Sequence, residues 1–441
     1  MANTGSAPPA PLPSALASPA LASPALAPAT LAPARHAPVL RLLAAAPHRL
    51  LFFVGACNVL LAMGWWTLWL TAARFGWPAL PALQATPQPA GWMHAIVMQY
   101  QVLPPFIFGF LLTVIPRWLD RPALARRHYL PVGLGLLGGQ LLVLAGLWGH
   151  PRLVLSGLLL TTAGWAAGWA ILLDVLHRAS KGDWHARSVL VALGLGLAGL
   201  GLVLAWLQTG NARLLFAAIK FGSFGLLLPV YFTVNHRMTP FFASCVQTGY
   251  RMVRPGWALA LFWGLAMLHL GLECAHGYAW LWLADVPMAG LTAWLLWQWT
   301  RAFRGPSPAL LRVLWAGFAW LPVAFAMYAA QSFWFATTGA YLLGRAPAHA
   351  LFIGYFGSLL VAMVTRVTQG HAGRPLALGR VAAFAFVAIQ LVALLRIAAE
   401  LAPDPQAWQV VAALGWLLAF TPWAIRSAWI YLSPRADGKP G

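Results

Sequence analysis

Acidic residues are almost missing. The 441-residue sequence holds eight Asp and Glu against 28 Lys and Arg, and charged residues of both signs make up only 8% of it. A soluble domain carries about 25%, so this chain cannot cover itself with a hydrated surface, and a cytosolic enzyme or a soluble nucleic-acid-binding domain is excluded. With so few carboxylates and no two forming an evident buried pair, a carboxylate proton chain and two-carboxylate hydrolysis are set aside as well. Cysteine is equally scarce. Cys57, Cys245 and Cys274 have no CxxC spacing, which leaves neither a disulfide framework nor a thiolate metal site. Residues 1–34 lack the uninterrupted apolar core of a signal peptide; their dense proline reads as a disordered tail.

What the chain has instead is apolar residues, 61% of the total. From Leu51 onward, apolar runs of about 20 residues recur, each long enough to cross a hydrocarbon core of about 30 Å. They fall near 51–73, 92–115, 131–149, 153–176, 187–208, 212–234, 256–276, 279–300, 310–333, 347–368, 379–399 and 407–431. The expected fold is therefore an all-α polytopic membrane protein of twelve transmembrane helices over residues 47–431, flanked by tails at 1–46 and 432–441. Lys and Arg collect in cytoplasmic loops. With the N-terminus inside, 22 of the 28 fall on the inner side, five (Arg74, Arg152, Arg213, Arg345 and Arg396) fall outside, and Lys220 is left within a span. Both termini are thus expected in the cytoplasm. The positives lie in short blocks and form no stripe, so the lipid bilayer is the expected partner and nucleic acid is not. Tryptophans near span ends, among them Trp65, Trp66, Trp77, Trp92, Trp118, Trp280 and Trp282, fit interfacial belts.

Similar segments beginning at Gly109, Gly225 and Gly357 sit in the second, sixth and tenth spans, which suggests three units of four helices.

Ionisable groups inside spans are functional candidates by default. His94 opens the second span and His349 the tenth, both toward the outer face. Imidazoles from two helices can clamp one haem iron, or they can be interfacial histidines bonded to loop backbone. His269, Glu273 and His276 fall at i, i+4 and i+7 on one stripe of the seventh span. Such a stripe suits copper or another divalent metal, or a hydrated helix end with a His–Glu hydrogen bond. Lys220 is expected to snorkel toward the outer interface; facing inward, it would bind an anionic group or tune a cofactor, and it would then lie near a second metal or polar site formed by His269, Glu273 and His276. At the inner face, the Gly370-His-Ala-Gly-Arg-Pro turn presents His371 and Arg374 together, with Arg366 nearby, for either a functional role or contacts with lipid headgroups.

Three blocks carry a resemblance: GFLLTVIPRWLDRPAL at 109–124, FGLLLPVYFTVNHRMTPFF at 224–242 and HALFIGYFGSLLVAMVTRVTQGHAGRPL at 349–376. They resemble the NnrS family, twelve-helix bacterial inner-membrane proteins associated with haem, copper and the response to nitric oxide. The resemblance singles out His94, His349, Arg366, His371 and Arg374, and marks Arg237, Met238, Pro240 and Phe241 as the exit motif of the sixth span. It implies haem between His94 and His349, with Arg345 near a propionate, copper as a further cofactor, nitric oxide as a ligand and an electron donor of unspecified kind. It also implies an architecture similar to the haem–copper oxidase catalytic subunit. The family commonly reads His-Ala-His-Glu-Met where this chain reads His94-Ala95-Ile96-Val97-Met98, so the second histidine and its glutamate are missing here. A transporter of an anion or metal and a cofactor-free respiratory assembly scaffold are the competing classes. Broken helices in two inverted halves would mark the transporter, and Pro104-Pro105 is the one such sign in the sequence.

Overall fold

The computed structural model describes residues 39–76 and 88–438; the Ala/Pro-rich N-terminal segment, Trp77 and Lys439 lie outside them. Among the described residues there is no strand, and twelve helices are long and apolar enough to cross a membrane. They are α1 (Pro47–Phe75), α2 (Ala90–Trp118), α3 (Arg126–Gly146), α4 (Pro151–His177), α5 (Trp184–Thr209), α6 (Ala212–Ser244), α7 (Gly256–Cys274), α8 (Tyr278–Arg301), α9 (Ala309–Thr338), α10 (Ala346–His371), α11 (Arg380–Ala398) and α12 (Pro405–Leu432). Every expected span has its helix. A short helix, Val39–Leu43, precedes α1.

The helix ends follow local chemistry. Gly76, Gly210 and Gly339 adopt left-handed backbone (φ 61°, 69° and 70°) and close α1, α5 and α9. The side chains of Asp183, Asn211 and Asp404 accept the first free N–H groups of α5, α6 and α12. Glycines also set the closest helix pair, α3 with α4. A Cβ on Gly135 would lie 2.6 Å from the Gly164 Cα, so only bare backbone fits at that crossing.

Three helices stand apart. α2, α10 and α6 are 89%, 72% and 67% buried, against 61% or less for the others, so they form the centre of the bundle. Each contains a π-helical turn: Met98–Val102 in α2, Phe221–Leu227 in α6 and Ala350–Gly357 in α10. These interruptions recur every fourth helix and lie near the same end of each chain segment, as three related units would place them. The register differs from the sequence blocks in one respect. Gly225 and Gly357 lie within their π-turns, whereas Gly109 lies beyond its own.

A π-turn or an internal proline frees backbone groups that hydrocarbon cannot satisfy. Pro105 has no N–H for the Gln101 carbonyl, and Asn58 Nδ2 from α1 supplies the donor at 2.8 Å. The polar side chains of that turn are buried and reach other helices. Gln99 donates to Ser223 Oγ (3.0 Å), Tyr100 to the Ala218 carbonyl (2.6 Å) and Gln101 to Thr161 Oγ1 (2.9 Å). α2 is thereby tied to α1, α4 and α6 at one level.

At the end where α1 begins, Arg237 of α6 binds Asp183 at 2.6 Å and lies over the Trp118 ring at 4.1 Å, joining α2, α5 and α6. Burial opposes the charged form of Asp183. The Ala186 N–H and the Arg237 guanidinium outweigh it and hold the carboxyl below its usual range. The resulting stabilisation is complete above the unfolded pKa and is lost as pH falls through the lower folded value.

Thermal melts of the detergent-solubilised protein between pH 5 and pH 3 are therefore expected to show a decline that Asp183→Asn flattens. The asparagine retains the cap and loses about 1 kcal/mol of ion pairing at neutral pH. Asn58→Leu, which leaves the Gln101 carbonyl bare, is expected to destabilise by about 1–2 kcal/mol in the same assay.

Candidate functional site

His94 lies one turn into α2, four residues before its π-turn, and His349 is the last residue before the π-turn of α10. Both rings are half-buried. His349, Arg345, Glu400 and Arg396 are linked by direct contacts between α10 and α11, and His94 lies near the corresponding end of α2. His349 Nδ1 is 2.9 Å from the Arg345 carbonyl. A carbonyl only accepts, so Nδ1 carries the proton and Nε2 presents its lone pair, the arrangement that orients metal-bound histidines. The His94 ring stacks on Trp66 of α1, with centroids 4.3 Å apart and planes within 14°, and Trp66 stacks in turn on Trp69 at 5.3 Å. Arg396 of α11 is buried and reaches Glu400 at 2.6 Å, while Glu400 Oε2 accepts the Arg345 N–H at 3.2 Å. The contact lacks hydrogen-bond alignment at Arg396 Nη1, which leaves that buried donor without an aligned acceptor.

A second group lies between α6, α7, α8 and α9. His269 is fully buried; its Nδ1 is 2.7 Å from Asp285 Oδ1 and its Nε2 3.6 Å from Glu273 Oε1. Lys220 Nζ reaches the same Glu273 oxygen at 3.0 Å. Phe224 and Tyr328 enclose the imidazole, with ring centroids at 3.8 and 5.2 Å.

This geometry corrects three expectations. Lys220 does not snorkel outward, because Glu273 offers an ion pair inside the bundle. The carboxylates do include a buried pair around one histidine, since the α7–α8 hairpin folds Asp285 back against His269. His276 leaves the stripe: α7 ends at Cys274, His276 takes φ 55°, and its Nδ1 lies 2.7 Å from the Tyr278 hydroxyl. Among the described residues, no group of three or more His, Cys, Asp or Glu is arranged to hold a metal ion. A copper ion does not fit at His269 and Glu273, where the Lys220 ammonium already supplies the cation. Fully ionised, the four groups carry two charges of each sign and neutralise one another.

The remaining candidates sit at or just past the other end of α10: Arg366 and His371 lie 17 and 22 residues beyond His349, about 25–33 Å at the helical rise, and Arg374 follows the helix end. Arg366 lies over Phe242 (4.0 Å), His371 packs on His48 of α1 (4.1 Å) and Arg374 faces Trp429 of α12 (5.2 Å). Each has a different partner, and none is near His94 and His349. Arg435 donates to the His371 carbonyl at 2.8 Å, and Arg49 to the Tyr431 carbonyl at 2.6 Å and also to Ser433, so this end is a basic clasp on the C-terminal segment.

Sequence reasoning missed four participants. Arg396 reads as an outer-loop charge and Trp66 as part of an interfacial belt, and Glu400 and Asp285 were not singled out. The one available signal was spacing: Glu400 follows Arg396 by four residues, an i, i+4 pair.

The family model described as NnrS protein matches residues 42–435, nearly the whole chain. No curated protein matches the sequence.

Lys220→Met is expected to destabilise the protein by about 2–4 kcal/mol in detergent unfolding, because Glu273 then remains buried without its cation. The double variant Lys220→Met/Glu273→Gln should recover much of that loss. His276→Ala should stay within about 0.5 kcal/mol of the parent; a loss comparable to that of Lys220→Met would return His276 to the cluster.

Proposed function

The chain belongs to the NnrS family, and on that premise we propose that it is a membrane haem protein of the nitric oxide response, with His94 and His349 as the axial ligands of one haem. The observation that supports this reading is that His94 and His349 open two of the three central helices at corresponding ends, with His349 tied to Arg345 and, through Glu400, to Arg396. His349 Nε2 is left free by the Arg345 carbonyl, and the Arg396 guanidinium is held close by through Glu400, which also accepts the Arg345 N–H. That donor set suits a porphyrin, whose iron takes neutral imidazole nitrogen and whose propionates take arginine. When bound, haem would supply one-electron chemistry at its iron.

The chain's own residues have separate tasks in this scheme. The Arg345 carbonyl fixes the His349 tautomer. Trp66 holds the plane of His94 and shields it from water. Arg396 and Arg345 place positive charge near the rings, which favours an anionic group there. We propose further that both termini face the cytoplasm and that the His94–His349 end faces the periplasm, in agreement with the bias of Lys and Arg across the loops.

The transporter reading draws no support from the helix interruptions. They come as three, in helices four apart that run the same way, and not as two in inverted halves.

Purified protein is expected to contain iron and to show the reduced spectrum of a low-spin haem. His94→Ala and His349→Ala should each abolish that spectrum, whereas Arg366→Ala and Arg374→Ala, at the far end of α10, should leave it in place. A colourless, iron-free parent protein would overturn the proposal.

A further inference from the structure

Between α1, α2, α6 and α10 lies a cavity of about 60 Å³ that no task assigned above uses. Phe52 of α1, Phe106 and Leu111 of α2, Val230 of α6, and Leu360 and Val364 of α10 are among the residues that line it. Its polar contributors are Asn235 and Tyr231. The Asn235 amide is already engaged: Nδ2 donates to the Tyr231 carbonyl at 2.9 Å and lies 3.3 Å from the Tyr355 hydroxyl, and Oδ1 accepts from Thr239 at 3.1 Å. A buried water needs two to four polar partners, and this space does not offer them, so it is a dry apolar site. Its size narrows the occupant further. An apolar cavity of about 150 Å³ accepts benzene; one of 60 Å³ accepts a single heavy atom or a diatomic molecule.

Two features place the cavity. Tyr231, Met363 and Val367 at its rim are partly exposed, so the space is open on that side. The same two helices that carry His94 and His349 form its walls. Phe106 lies 12 residues beyond His94 and Leu359 lies 10 beyond His349, which is about 15–18 Å along the helices.

We propose that this cavity binds a small apolar gas molecule between the helices that carry the histidine pair. The identification of the gas as nitric oxide rests on the function proposed above; the binding of an apolar diatomic does not.

Xenon is the probe. Crystals of the parent protein under xenon pressure are expected to show one anomalous peak within the ring of Phe106, Leu111, Val230 and Val364. Xenon-129 resonance shifts of the purified protein should show saturable binding. Val364→Phe should weaken that binding at least tenfold, and the milder Val230→Leu should weaken it by a smaller factor should the larger ring prevent folding. Absence of saturable binding in the parent overturns the inference, as does electron density for an acyl or detergent chain filling the space. Xenon bound by a colourless His94→Ala variant supports the inference without reference to haem, so its failure and that of the proposed function are read separately.

Discussion

In hydrocarbon, a backbone carbonyl without a donor has no water to turn to, and this constraint governs the centre of the bundle. The three central helices each break the α-helical ladder in a π-turn, and each break must be satisfied by a neighbour. Asn58 bonds the carbonyl that Pro105 leaves open, and Gln99, Tyr100 and Gln101 bond three further partners at the same level. The contacts that satisfy the π-turns therefore also fix how α1, α2, α4 and α6 stand against one another. The candidate ligands inherit that rigidity, because His94 and His349 are attached one turn or less before two of these breaks.

The same economy of charge appears in the two polar groups of the far half. Around His269, Lys220, Glu273 and Asp285 neutralise one another in a place where an unpaired charge is costly. Around His94 and His349 there are two arginines and a single nearby carboxylate, Glu400. The first group is closed and the second is open to an anionic partner. Ile96 and Val97, between His94 and the π-turn of α2, are fully buried in apolar packing.

The twelve spans were legible because crossing hydrocarbon demands a length of apolar residues that is written locally. Most helix ends were legible to within about five residues because apolar runs stop at local proline, glycine and arginine, but α6 continues to Ser244, ten residues beyond the expected 234. His94 and His349 stood out since an ionisable group at the start of an apolar run is conspicuous by itself. The direction of a side chain around its helix was not legible. Lys220 turns inward because Glu273 is there to meet it, and nothing within α6 announces that. Asp285 lies twelve residues beyond Glu273 and becomes its neighbour only through the α7–α8 hairpin. His276 sits at the right spacing for the stripe and still leaves it, since the helix stops two residues earlier.

What the sequence determined by itself was everything set by local chemistry and by the solvent: the helical class, the number of crossings, the caps and the family. What only the tertiary structure decided was which charges meet. Arg396 joins the histidine pair and Arg366, His371 and Arg374 do not, although all four lie within thirty-one residues of one another. The physical reason is that a helix separates its two ends by the thickness of the membrane while packing brings remote helices into contact, so proximity along the chain and proximity in space part company here.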